Sequence, residues 1–150
     1  DAFSRKKNFD YGIYASDVDE SHVRVAKENF EKAGIKVKAE FDAKDFFGSE
    51  TPSDEGLIVM NPPYGERIEP EEINSFYSSI GDQFKQNCAG WDAWMISSNM
   101  QALKNVGLRP SRKIHLFNGA LECKFQKYSI YKGSKRTKFQ NVSSEAKPQD

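Results

Sequence analysis

Asn61-Pro62-Pro63-Tyr64, directly behind the apolar run at residues 57–60 (LIVM), is the segment of this sequence best equipped for chemistry. Pro62 drives Asn61 into an extended conformation, and two successive prolines fix φ, so the chain leaves a strand there in a rigid, non-helical form. The Asn61 side-chain oxygen and the Pro62 carbonyl can then face a ligand as paired acceptors. Two acceptors match the two hydrogens of an aromatic amino group. Holding that group pyramidal localises a nitrogen lone pair otherwise delocalised into the ring. Tyr64 adds a flat face for stacking, worth about 1–3 kcal/mol per base, and Gly65 lets the backbone turn away without crowding. An amide is no base at neutral pH, so Asn61 orients and polarises. Rate would come from placing the nitrogen in line with an electrophile, and a nucleic-acid base would have to leave its stack to get there. The plain alternative is that Asn-Pro-Pro only punctuates a turn.

The elements that must position this motif can be read from periodicity. Residues 11–16 (YGIYAS) predict a buried strand, and Asp17 and Asp19 behind it suit a helix start. Val23, Ala26, Phe30 and Ala33 recur at helical spacing, with Gly34 at the C-terminal cap. Ile35, Val37, Ala39 and Phe41 alternate with polar residues, which predicts a strand. Residues 48–56 read as a loop, and residues 57–60 as a parallel strand covered on both faces. Pro70 with Glu71 and Glu72 opens a helix whose stripe is Ile73, Phe76, Tyr77, Ile80 and Phe84. Residues 93–96 (AWMI) form another buried strand, and Ser98 can cap a short helix ending at Gly107. Residues 114–117 and 121–131 make a hairpin with a type I′ turn at Asn118-Gly119. A parity change along its second strand predicts a bulge near Gln126 or Lys127. This is an α/β layout with an antiparallel end. Ligands in such sheets bind beyond the carboxyl ends of the strands, where Asp17, Asp45 and Asn61 all fall.

Bulk properties narrow the classes. The 150 residues suffice for one ordinary domain. No apolar run approaches the roughly 18 residues of a membrane helix, and no signal-peptide pattern is seen. Cys88 and Cys123 form no C-x-x-C pair and read as reduced thiols of a cytoplasmic protein. His22 and His115 lie far apart without a neighbouring cysteine, so no metal site is expected. Formal net charge is zero, but acids gather between Glu40 and Glu55. Lysines and arginines gather between Arg109 and Lys138, opposed only by Glu122. Such a stripe can follow phosphates or be a solvated hairpin face. No G-x-G-x-x-G, P-loop or G-x-S-x-G is present, which speaks against a dinucleotide oxidoreductase, nucleotide hydrolysis and serine-esterase chemistry.

Extended through Gly65-Glu66-Arg67-Ile68, the motif resembles that of the class I AdoMet-dependent RNA methylases with an Asn-Pro-Pro-Tyr signature. The best-known members are the THUMP-containing guanine-N2 methyltransferases of large-subunit ribosomal RNA. The resemblance runs from Tyr11 to Tyr131 and includes Leu-Phe-Asn-Gly-Ala-Leu-Glu at 116–122. It implies a partial Rossmann-like class I methyltransferase sheet closed by a C-terminal antiparallel hairpin. It also implies S-adenosyl-L-methionine (AdoMet) as methyl donor and RNA as partner. Asp17 would bind the ribose hydroxyls, with Asp19 the runner-up, and Asp45 the adenine amino group. Asn61, Pro62 and Tyr64 would be catalytic, Asn61 also bordering the cofactor. Taken without the resemblance, Asp17 and Asp19 are equally ordinary helix-capping residues, Asp45 a loop acid, and Glu66 and Arg67 an ion pair or substrate contacts.

The family's first strand and glycine-rich loop have no counterpart here: none of the ten glycines precedes Gly12. The expectation is therefore a C-terminal part of a methyltransferase domain. Residues 1–10 would be a truncated lead-in, residues 11–131 the domain, and residues 132–150 a polar, disordered tail. The first strand and loop and the THUMP domain would then come from the same parent chain, and the part alone would be inactive. Adenine-N6 methylation of DNA and a non-catalytic nucleic-acid-binding module are the competing readings.

Overall fold

The computed structural model describes residues 9–64 and 68–133; expectations for residues 1–8, Gly65, Glu66, Arg67 and 134–150 lie outside the described residues. The chain divides into two compact units, Asp1–Ser49 and Glu50–Asp150.

The first unit is a strand–helix–strand: β1 (Ile13–Asp17), α1 (Glu20–Lys32) and β2 (Ala39–Ala43). The two strands pair in parallel, from Ile13 with Ala39 to Asp17 with Ala43. Helix α1 starts where Asp19, in an extended conformation, accepts the Ser21 backbone N–H. It stops at Ala33, and Gly34 follows with φ +63°, the left-handed conformation that glycine adopts without a steric penalty. Phe30 of α1 meets Phe41 of β2 edge to face, with centroids 5.5 Å apart. Two expectations are corrected here. Residues 35–38 are not strand, and β1 is only half-buried, with Tyr11 and Tyr14 exposed. The physical reason is that α1 contributes no fully buried residue, so little apolar cover reaches the strands.

The second unit holds the core. It contains β3 (Leu57–Met60), α2 (Pro70–Asn87), β4 (Asp92–Ser97), a 3-10 turn (Ala102–Val106), β5 (Arg112–Asn118) and β6 (Leu121–Ser129). The strand order is β3-β4-β6-β5, with β3 parallel to β4 and the β4–β6 and β6–β5 pairs antiparallel. Helix α2 buries Ile73, Tyr77, Ile80 and Phe84, and the alternate residues Ala93, Met95 and Ser97 of β4 are buried as well. Each large side chain in that layer contributes about 1.5–3 kcal/mol. Gly81 lets α2 approach the 3-10 turn closely: a Cβ there would sit 1.7 Å from the Val106 carbonyl oxygen.

Strand β3 has the predicted boundaries, but not the predicted cover on both faces. Leu57 and Val59 are 58% and 68% exposed, and among the described residues β4 is the one strand that pairs with β3. The predicted bulge in β6 does not form: pairing with β4 and β5 keeps one register throughout. The parity change is instead met by burying the polar Gln126, whose side-chain oxygen accepts from the Tyr128 hydroxyl at 2.7 Å. The hairpin turn also shifts. Asn118 pairs with Leu121, so the two loop residues are Gly119 and Ala120, and only Gly119 has positive φ. A single positive φ at the first loop position is the type II′ pattern, not the I′ pattern. No described helix is long and apolar enough to cross a membrane.

Candidate functional site

Strand β3 runs straight into Asn61, and the residues that follow are held by side chains rather than by a ladder. Neither Pro62 nor Pro63 has an N–H to give, so neither can anchor this stretch by donating to a neighbour. Pro62 is buried while Asn61 remains exposed. The hydroxyl of Tyr77, on the buried stripe of α2, donates to the Pro63 carbonyl at 3.1 Å. It also lies 2.7 Å from the Ser97 hydroxyl at the end of β4. A carbonyl cannot donate, so the Tyr77 proton goes to Pro63, Ser97 donates to Tyr77, and the Asn99 backbone N–H donates to Ser97 at 3.0 Å. The Asn99 carboxamide works in both directions. Its Nδ2 donates to the Tyr64 carbonyl at 3.0 Å, and its Oδ1 accepts the Ala102 N–H at 2.8 Å. Asn99, not the expected Ser98, thus anchors the start of the 3-10 turn.

Tyr64 is half-buried, and its hydroxyl donates to Asn61 Oδ1 at 2.6 Å. Burial, with the Cys123 thiol as a smaller contributor, pushes that hydroxyl above its ordinary value, so Tyr64 remains a donor at neutral pH. Burial likewise pushes Tyr77 up, the Ser97 hydrogen bond opposing. The structure therefore brings Asn61, Pro62 and Tyr64 into one site and aims the Asn61 oxygen at a hydrogen-bond donor. Tyr77, Ser97 and Asn99 were not singled out from sequence. The one available hint was a tyrosine on a core stripe where phenylalanine would bury as well.

The predicted cofactor acids Asp17, Asp19 and Asp45 lie in the first unit. Asp17 ends β1 and Asp45 follows β2, and the Lys44 N–H donates to the Asp17 carbonyl at 3.0 Å. Both acids thus stand at the carboxyl ends of paired parallel strands, as ligand-binding acids of such sheets do. The Asp17 carboxylate accepts the Asp19 N–H at 2.8 Å and meets the His22 ring at 3.5 Å, both through Oδ1. Asp45 Oδ1 accepts the Phe47 N–H at 3.0 Å. Asp19 is committed to capping α1: one oxygen takes both the Ser21 N–H and the Ser21 hydroxyl. The Ser21 hydroxyl is also the main cause that holds the Asp19 carboxyl below its usual value. Exposed carboxylates with oxygen lone pairs to spare suit a ribose diol and an exocyclic amine. Asp17 and Asp45 differ from Asp19 in place: they stand at the carboxyl ends of the paired strands, whereas Asp19 caps α1.

A family model described as RMKL-like, methyltransferase domain matches residues 1–127. The chain belongs to this family. Among curated relatives of this RMKL-like domain is the ribosomal RNA large subunit methyltransferase K/L of Shewanella sp. (strain W3-18-1). It is 36% identical over 131 residues, covering 87% of this chain and 18% of the relative. The protein of the same description from Shewanella frigidimarina (strain NCIMB 400) is 36% identical over 125 residues, covering 83% and 18%. The RMKL-like domain here thus spans about 18% of the length of those relatives. The crystal structure of a possible methylase from Clostridium difficile 630 matches with a TM-score of 0.75 at 30% identity, covering 89% of this chain and 36% of its own. SMU.472, solved in complex with SAH, matches with a TM-score of 0.72 at 21% identity, covering 81% and 32%. The second likeness speaks for the fold alone. The mixed α/β sheets with a terminal hairpin are those of a methyltransferase fold, as the resemblance implied.

Proposed function

We propose that the polypeptide containing these residues transfers a methyl group from AdoMet to the exocyclic amino group of a base in RNA, guanine N2 of large-subunit ribosomal RNA foremost. The observation that carries this reading is the rigid diproline exit of β3, with Asn61 exposed and its Oδ1 facing a donor. The names of the curated relatives support the choice of ribosomal RNA. In this reading Asn61 Oδ1 and the Pro62 carbonyl receive the two amino hydrogens, and Tyr64 stacks on the base. None of the described residues is assigned to remove a proton before the transfer. The nitrogen lone pair is aimed at the methyl. As the N–C bond forms the S–C bond would break, the neutral thioether S-adenosylhomocysteine would leave with the electron pair, and the proton on the now cationic nitrogen would pass to water. AdoMet, when bound, supplies a positively charged sulfonium whose methyl is the electrophile. Asp17 is assigned to its ribose hydroxyls and Asp45 to its adenine amine, with Asp19 in support through α1.

We assign the remainder of the cofactor cradle, a glycine-rich loop, and an RNA-gripping THUMP domain to other parts of the same polypeptide, working in the cytoplasm. The deciding experiment gives the full-length protein AdoMet with undermethylated ribosomal RNA and, separately, with DNA. Methylguanine formed in RNA and lost with Asn61→Ala supports the proposal. N6-methyladenine formed in DNA alone would replace the substrate. An Asn61→Ala protein that keeps its full activity would reduce this segment to a binding module. Calorimetry with the 150-residue chain alone tests the shared cradle, since low-micromolar AdoMet affinity would contradict it.

A further inference from the structure

We propose that Tyr77 and Asn99 are positioning residues for the target amine, acting through the backbone of the diproline loop; this rests on the proposed function. The loop carries the substrate acceptors on Asn61 and Pro62, yet its own prolines cannot anchor it through N–H groups. Two side chains do so from outside, and they take two adjacent carbonyls. Tyr77 holds that of Pro63 from helix α2, and Asn99 holds that of Tyr64 from beyond β4. Each is fixed in turn: Tyr77 by the buried Ser97 hydroxyl, Asn99 by the Ala102 N–H. The Ser97 hydroxyl also takes the Asn99 backbone N–H, so the two anchors share a link.

The direction of the chain matters. Running Asn99 N–H to Ser97, Ser97 to Tyr77 and Tyr77 to Pro63, it ends on an acceptor, and no other proton order satisfies all three contacts. Tyr77 and Ser97 are both fully buried, so water cannot replace the lost donor cheaply. Removing the Tyr77 hydroxyl takes away the donor that holds the Pro63 carbonyl, and the loop that carries Asn61 and Pro62 is then free to shift. Misplacement by about 1 Å in a reacting geometry costs roughly a hundredfold in rate.

The internal control is Tyr128, equally buried at 1% exposure, whose hydroxyl bonds to Gln126 and not to the loop. Tyr77→Phe, Asn99→Ala and Tyr128→Phe are made in the full-length protein, and initial rates are measured at varied AdoMet. The expected result is a ~10- to 100-fold lower kcat for the first two, with the KM for AdoMet unchanged, and an unaltered kcat for Tyr128→Phe. Hydrogen–deuterium exchange of the peptide spanning residues 57–69 supplies the second readout. It rises in Tyr77→Phe and Asn99→Ala and stays at the wild-type level in Tyr128→Phe. Equal rate losses in Tyr77→Phe and Tyr128→Phe would show a merely structural hydroxyl and overturn the proposal, as would an unchanged rate or exchange in Tyr77→Phe. A wild-type protein that methylates neither nucleic acid overturns the proposed function, and the exchange arm still decides whether these residues hold the loop.

Discussion

At the scale of single residues, the contact that defines the site is the hydroxyl of Tyr64 on Asn61 Oδ1 at 2.6 Å. In the proposed function an incoming amino group displaces that hydroxyl from Asn61 Oδ1. Asn61→Ala should therefore lower methyl transfer by at least about a hundredfold, as loss of a preorganised polar contact does. The melting temperature should barely move, because Asn61 is exposed. Tyr64 separates its two roles by substitution. Phe keeps the ring and frees the acceptor, so the rate should stay within about threefold of wild type with a lower KM for RNA. Ala removes the stacking and should raise that KM by about 5- to 150-fold, the equivalent of 1–3 kcal/mol; equal effects of Phe and Ala would assign the work to the hydroxyl. Burial pushes the Cys88 thiol up to about 11, and Cys123 is fully buried too. Neither should react with a thiol-specific reagent in native protein at pH 8, and both should react once it is unfolded. Asn61, Pro62 and Tyr64 were legible in the sequence because their rigidity and chemistry are local. Tyr77 and Asn99 were not, because their partners are backbone carbonyls, which carry no residue signature.

At the scale of elements, helical or two-residue periodicity placed α1, α2 and the hairpin, and a continuous apolar run placed β3. Periodicity failed where burial was misjudged. Residues 35–38 alternate like a strand, yet the ladder with β1 begins only at Ala39, and Gln126 is buried by a hydrogen bond that its residue type does not announce. Between β4 and β6 the Asp92 carboxylate meets Lys127 Nζ at 2.8 Å. That contact, more than the added bond from Ser129, holds the Asp92 carboxyl below its ordinary value of 3.8. A depressed carboxyl stabilises the fold fully above its unfolded value and loses that contribution as pH falls through the folded one. Melting temperature should accordingly drop on acidification through and below pH 4, and Lys127→Met should flatten that limb; an unchanged slope would show the pair contributes nothing. Gly81→Ala should cost about 1–3 kcal/mol through overpacking, measured by urea denaturation, because the added methyl meets the Val106 carbonyl oxygen.

At the scale of the whole molecule, the two units differ in what holds them. Glu50–Asp150 has a helix seated by buried side chains and strands with an internal core. Asp1–Ser49 has a two-stranded ribbon and a helix without a fully buried residue. Amides in β1, α1 and β2 should thus exchange by local opening well before those of α2, β4 and β6; similar protection throughout would contradict this. The sequence did not announce that inequality, because amphipathic spacing reports which face turns inward and not how much is waiting to receive it. The uncovered flank of β3 also decides how these 150 residues behave in a tube. An edge that pairs with no strand among the described residues, beside the exposed Leu57 and Val59, can template a neighbouring strand, so sedimentation should show a weight-average mass that climbs with concentration. Val59→Lys should return the chain to monomers without touching the diproline loop.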